Sequence, residues 1–158
     1  MKASTPFLDN LIQELRAYSQ CKVQNQWQGL FEDLGANLSG AHYPCLWDVQ
    51  TLNDREHIAW QSGRVLWLYQ RFVIPETLNS YPLKELTVRL SVAWWAEDAR
   101  IYVNGDWIQS GDLFDFFTRV CLSESVVPGE VFDVALRLES PKHDAGALVR
   151  SHLIYEAI

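Results

Sequence analysis

Two local clusters of carboxylates, Glu97-Asp98 and Asp112-Leu113-Phe114-Asp115, are where this chain comes closest to hydrolytic chemistry. Glycoside hydrolysis needs a pair of acids, one to protonate the leaving oxygen and one to attack or to activate water. Both clusters also sit where turn chemistry asks for Asp. Glu97-Asp98 falls where a strand must reverse, and Asp112 directly follows Ser110-Gly111, a setting that favours solvated loop acids over a catalytic pair. Loop oxygens of this kind are equally the ligands that a structural calcium would use. The histidines, His42, His57, His143 and His152, are dispersed, and no phosphate loop, Gly-x-Ser-x-Gly elbow or His-Glu-x-x-His segment occurs.

Binding has better candidates than catalysis. Adjacent strand residues point to opposite faces, so if Trp94 belongs to the core then Trp95 points outward. An outward indole can stack on the apolar face of a sugar ring, be covered by another domain, or be partly buried under a loop. The segment Ser140-Pro141-Lys142-His143-Asp144-Ala145-Gly146-Ala147-Leu148 is a polar loop between strands, followed by Arg150. His143, Asp144 and Arg150 can bind a ligand through hydrogen bonds, or can tie the loop down, with Asp144 capping it or pairing with Arg150. The expected functional surface is therefore Trp95, Glu97, Asp112, His143, Asp144 and Arg150.

The elements that must position these residues are mainly strands. Ile101-Tyr102-Val103 runs into Asn104-Gly105, and Asp106-Trp107-Ile108 runs out again, the pattern of a hairpin whose type I′ turn needs positive φ at both central residues. Pro128-Gly129-Glu130 marks a second turn, from which Phe132, Val134, Leu136 and Leu138 emerge at period two. From Val65 to Ile74 both faces carry bulky groups, as in a central strand, and Pro75 ends it. Leu86, Val88, Leu90, Val92 and Trp94 form another inward face, with Thr87, Arg89 and Ser91 outward, and Leu148 to Tyr155 is the last strand. Ahead of the strands, Thr5-Pro6 followed by Phe7, Leu8, Leu11, Ile12, Leu15 and Tyr18 predicts one amphipathic helix within residues 1–20. Residues 21–158 then form a single β-sandwich domain, its stretch from Val23 to Gly63 the least regular.

With 158 residues the chain can bury one real core but not two. A net charge of −7 with basic residues scattered singly gives no footprint for nucleic acid. The first residues lack the apolar run of a signal peptide, and no window approaches the ~20 apolar residues of a membrane span, so a cytoplasmic location is expected. Cys21, Cys45 and Cys121 are odd in number and unpaired in spacing, which fits reduced thiols used as small apolar residues.

Several segments together point to a family. Trp67-Leu68-Tyr69-Gln70-Arg71-Phe72-Val73-Ile74-Pro75, Arg89-Leu90-Ser91-Val92-Ala93-Trp94-Trp95-Ala96-Glu97, Ile101-Tyr102-Val103-Asn104-Gly105, Gly111-Asp112-Leu113-Phe114-Asp115 and the Ser140 to Leu148 loop resemble the N-terminal non-catalytic region of family 38 α-mannosidases. The resemblance covers about residues 65–156 and is closest to bacterial, cyanobacterial-type members. The Val-Asn-Gly hairpin with its following Pro-Gly-Glu strand is also similar to the jelly-roll sugar-binding domains of family 2 glycosidases. The likeness implies an all-β fold, an antiparallel jelly-roll β-sandwich of the galactose-binding-domain-like type, standing in front of a zinc-dependent retaining mannosidase domain.

In that family a His-x-His-x-Asp segment and further ligands of the catalytic domain hold the zinc, and an Asp of that domain is the nucleophile. No such segment occurs in this chain, so the likeness implies a front module with no cofactor of its own, inactive alone, and zinc in the separate catalytic domain. Its implied partner is that catalytic domain, on which it docks, with help to substrate access or to homo-oligomer assembly as further roles. The alternative is a carbohydrate-binding module that holds a mannose-containing glycan in its own site.

Overall fold

A computed structural model of the chain describes residues 7–11, 19–30, 48–112 and 118–156. Its strands are β1 (Gln20–Lys22), β2 (Gln28–Leu30), β3 (Asp48–Val49), β4 (Ile58–Trp60), β5 (Val65–Val73), β6 (Thr77–Leu78), β7 (Tyr81–Pro82), β8 (Thr87–Trp95), β9 (Asp98–Val103), β10 (Asp106–Gly111), β11 (Thr118–Ser123), β12 (Val131–Glu139) and β13 (Gly146–Glu156). One sheet runs β10-β9-β12-β5-β2-β3, and a second runs β1-β13-β8-β11 with β4 also on β13. From β8 onward the chain crosses repeatedly between them: β8, β11 and β13 lie in the second sheet, β9, β10 and β12 in the first. The result is an antiparallel jelly-roll sandwich.

Period-two alternation builds the core between the sheets. Leu66, Leu68 and Phe72 of β5 and Phe132, Val134, Leu136 and Leu138 of β12 face Val88, Leu90, Val92 and Trp94 of β8 in one buried cluster. Each such side chain contributes about 1.5–3 kcal/mol when fully buried. Val103 is only partly buried against that core, because it ends β9 beside the turn. The Asn104-Gly105 turn has φ of 52° and 88°, as type I′ requires, and Val103 pairs with Asp106 across it. At the Pro128 turn Gly129 has φ 89° and Glu130 N donates to Val127 O at 3.0 Å, the pattern of a type II turn.

Three expectations need correction. Thr87 and Ser91 do lie on the outer face of β8, yet both are buried, because β8 runs between β13 and β11. Val23 to Gly63, irregular in pattern, supplies β2 to β4, strands of two or three residues that are too short to display a period. Cys121 is exposed rather than packed as an apolar residue, since β11 turns it outward, and Cys21 is half-buried; both are free thiols. Residues 7–11 are helical, with Phe7, Leu8 and Leu11 exposed. The remainder of the expected helix up to residue 18, together with His42, Cys45 and Asp115, lies outside the described residues.

Strand β13 contains the irregularity that matters most for function. Leu148 pairs with Trp94 and Arg150 with Ala93, so one residue is inserted between them. Simple alternation from Leu148 would have turned Arg150 and His152 into the core. The bulge reverses the phase, sending Ser151, Leu153 and Tyr155 inward and leaving Arg150 and His152 on the outer face.

Candidate functional site

Trp95 points to the outer face of the second sheet, half-buried, and its Nε1 donates to Asp144 Oδ2 at 3.1 Å. Asp144 Oδ1 also accepts from Ala145 N at 2.9 Å, so the carboxylate fixes its own loop against the indole. Of the two arrangements left open for Asp144, capping is the one observed, with Trp95 as the added partner. Arg150 shares this outer face, one row along, where it pairs with Ala93. His143 is exposed in the same loop as Asp144. Glu97 is exposed, and its main-chain N–H donates to Glu139 O at 2.8 Å. Asp112 stands apart from the others: its carbonyl accepts from Trp94 Nε1 at 3.0 Å, on the opposite side of β8 from Trp95. Trp95, Asp144 and Arg150 thus share a face, and Asp112 does not.

Arg150 also lines a cavity of about 540 Å³ that sequence reasoning did not anticipate. Its charged and titratable walls are Lys22 from β1, Arg55, Glu56 and His57 from one loop, and Arg150 and His152 from β13. The loop is tightly held. Asn53 Oδ1 accepts from Arg55 N at 2.9 Å and His57 N at 3.1 Å, and Asn53 N donates to His57 O at 3.0 Å. Glu56 takes a φ of 64°, a left-handed conformation that costs a non-glycine residue about 1–2 kcal/mol. Gln24 Nε2 donates to Glu56 O at 3.2 Å and to Leu148 O at 2.7 Å, joining the loop to the bulged strand.

Beneath the cavity, Trp27 Nε1 donates to Ser151 Oγ at 2.9 Å and Ser151 Oγ donates to Gln24 Oε1 at 2.8 Å. The register places Lys22, His152, Ser91 and Arg119 in one row across the outer face. Burial, and then the like charges of Arg150, Lys22 and Arg119, hold the His152 imidazole below its ordinary pKa. These residues are spread over the whole chain, and only the Arg150–His152 spacing on a strand gave any sign of a shared face.

The first sheet also carries a second apolar layer on its outer face. Trp67, Tyr69, Tyr102 and Ala135 are buried there, with Trp67 and Tyr102 at 5.4 Å between ring centroids. Trp107, opposite Tyr102, is 52% exposed, and the Arg100 guanidinium lies 4.7 Å from its ring centroid. Tyr69 OH donates to Asp133 Oδ1 at 2.5 Å, and Arg71 Nε donates to the same oxygen at 2.8 Å. Burial and that carboxylate push the Tyr69 phenol up to about 12, while the Arg71 hydrogen bond holds the Asp133 carboxyl below its ordinary range. Trp67 Nε1 is the one buried side-chain polar atom without a partner among the described residues. Asp98, expected as a solvated loop acid, opens β9 and pairs with Arg100 and Arg137, because both cations extend from the same face of the sheet.

Among the described residues no three His, Cys, Asp or Glu side chains gather as a metal site, and no helix is long and apolar enough to cross a membrane. A scan against protein-family models finds no match, and neither does a search of curated proteins. Solved structures do match. A glycosyl hydrolase family 2 member from Bacteroides cellulosilyticus aligns with a TM-score of 0.66 at 13% identity, over 88% of this chain and 21% of that one. The β-glucuronidase 2 of Bacteroides uniformis aligns with a TM-score of 0.63 at 14% identity, over 86% of this chain and 18% of that one. The chain spans about a fifth of the length of these proteins. It has the jelly-roll β-sandwich fold that forms one portion of such glycoside hydrolases.

Proposed function

We propose that this chain is a non-catalytic accessory module of a glycoside hydrolase and that it works by docking on the catalytic domain. The carrying observation is one of proportion: the fold match takes in nearly all of this chain and about a fifth of each compared protein, which leaves the rest of those proteins for other domains. The finer reading, a zinc-dependent α-mannosidase of family 38 as partner, is supported by the segments around Trp67, Trp94 and His143. Val73 and Val131 form an exposed cross-strand pair on the outer face of the first sheet, 57% and 42% accessible, with Val127 beyond them. Together with Trp107 and Arg100 they make the mixture of apolar, aromatic and Arg side chains that interfaces favour.

The purified chain, supplied with zinc and an aryl α-mannoside, is expected to show no turnover. Chelator-sensitive turnover would refute a non-catalytic role. A catalytic glycosidase domain encoded in the same coding region is expected to bind it in calorimetry, and Val73→Asp with Val131→Asp is expected to weaken that binding about tenfold or more. No association would refute docking. The second reading, a glycan site on the module itself, is favoured by Trp95, whose half-exposed indole is oriented by Asp144 beside an open loop. Saturable quenching of tryptophan fluorescence by mannose or short mannosides, lost in Trp95→Ala, would support it.

A further inference from the structure

We propose that the cavity between the Asn53–His57 loop and the β13 bulge binds a small ligand through an oxyanion, a carboxylate or a phosphate, held by Lys22, Arg55 and Arg150. This goes beyond the accessory role and needs no catalytic partner. Three cations and two imidazoles converge on one cavity, and among the described residues that line it Glu56 is the only carboxylate, in a chain whose net charge is −7. Lys22 and His152 are direct cross-strand partners, and Arg150 and His152 leave the same face of one strand. The positive charges of Lys22 and Arg150 bear on the same imidazole, and an anion bound beside it is attracted by both.

The walls are also fixed in advance. Asn53 closes the loop with two side-chain bonds, Gln24 ties it to Leu148 O, and the bulge that turns Arg150 outward is part of the sheet. A preformed site loses less free energy in ordering when its ligand arrives. The left-handed φ of Glu56 at the rim is the kind of local strain that clusters at ligand sites. A volume of about 540 Å³ lies within the range of roughly 300–1,000 Å³ typical of small-molecule pockets.

The test is calorimetric titration of the whole chain with glucuronate, with inorganic phosphate, and with methyl glucoside as the neutral control. At least one anion is expected to bind saturably while methyl glucoside does not, and the tighter of the two identifies the source as carboxylate or phosphate. Arg55→Gln lies on an exposed loop, and with Arg150→Gln it is expected to weaken binding about tenfold or more, the loss expected for a charge-assisted hydrogen bond. Thermal unfolding of both variants shows that they remain folded. In NMR, the His152 imidazole, assigned against His152→Gln, is expected to titrate at higher pH once the anion is bound, because the anion offsets Lys22, Arg150 and Arg119. Binding by neither anion, equal binding of methyl glucoside, or affinity unchanged in both folded variants would overturn the proposal.

Discussion

Ser151→Ala separates the cost of an orphaned buried donor from the cost of lost packing. The hydroxyl accepts from Trp27 Nε1 at 2.9 Å and donates to Gln24 Oε1 at 2.8 Å. Trp27 is fully buried, so without Ser151 Oγ its N–H has neither protein partner nor water, a loss of about 1–3 kcal/mol. Gln24 is only half-buried, and its released carbonyl can reach solvent at little cost. The removed oxygen is small, so the cavity contribution stays minor. The expected loss of about 1–3 kcal/mol corresponds to a fall in Tm of about 2–4 °C for each kcal/mol in a domain of this size. Urea unfolding measures it, with an unchanged m-value confirming that the native state has not loosened. Trp27→Phe removes the donor, so Ser151→Ala in that background should cost less, with a coupling energy of about 0.5–3 kcal/mol. Additive single variants, or a Ser151→Ala loss within about 0.5 kcal/mol, would refute the reasoning that the N–H is the origin of the cost.

Gly105→Val should destabilise the hairpin, because its φ of 88° is a left-handed conformation costing a side-chain-bearing residue about 1–2 kcal/mol and a β-branched one more, whereas Asp106→Ser should unfold at the native midpoint. Gly146→Ala should cost about 1–3 kcal/mol or more in chemical denaturation: its Cβ would lie 2.5 Å from Trp60 Cζ2, and that ring is pinned by the bond from Nε1 to Arg64 O at 2.9 Å. Tyr69 should ionise near pH 12 in an ultraviolet titration, earlier in Asp133→Asn; its folded pKa is raised, so its stabilising contribution is complete below pH 10 and is lost as pH rises through about 12. Asp133 gives the opposite limb: its folded pKa is lowered, so its contribution is present above the ordinary value of 3.8 and fades as pH falls below it.

The long strands were legible because their side chains alternate without interruption. Phe132, Val134, Leu136 and Leu138 all face the core as expected, and Trp94 and Trp95 divide between the two faces. β13 resisted because Leu148 and Leu153, both buried, are an odd number of residues apart, and only an inserted residue lets one face hold both. That odd spacing was the available signal for the bulge, and with it for Arg150 and His152 sharing the outer face. Lys22, Arg55 and His57 gave no signal at all, since each lies in a strand or loop too short for a pattern and their nearness to β13 is purely tertiary. Neither alternative for Asp144, capping its loop or pairing with Arg150, included Trp95 as a partner, for a related reason: a side-chain N–H as donor leaves no trace in charge pattern.

Strand β13 joins β1, β4 and β8, yet of the thirteen strands among the described residues it is made last. During synthesis, β5, β9 and β12 can pair as soon as they emerge, whereas β1 must wait more than a hundred residues for Ile154, the partner of Gln20. Until then, among the described strands, β8 and β11 are the ones paired to cover the apolar face of the first sheet. Pairings of such long sequence separation slow folding and prolong the exposure of sticky surface. The nascent chain is therefore most vulnerable to aggregation in the interval between β12 and β13, and a translational pause there would lengthen the danger.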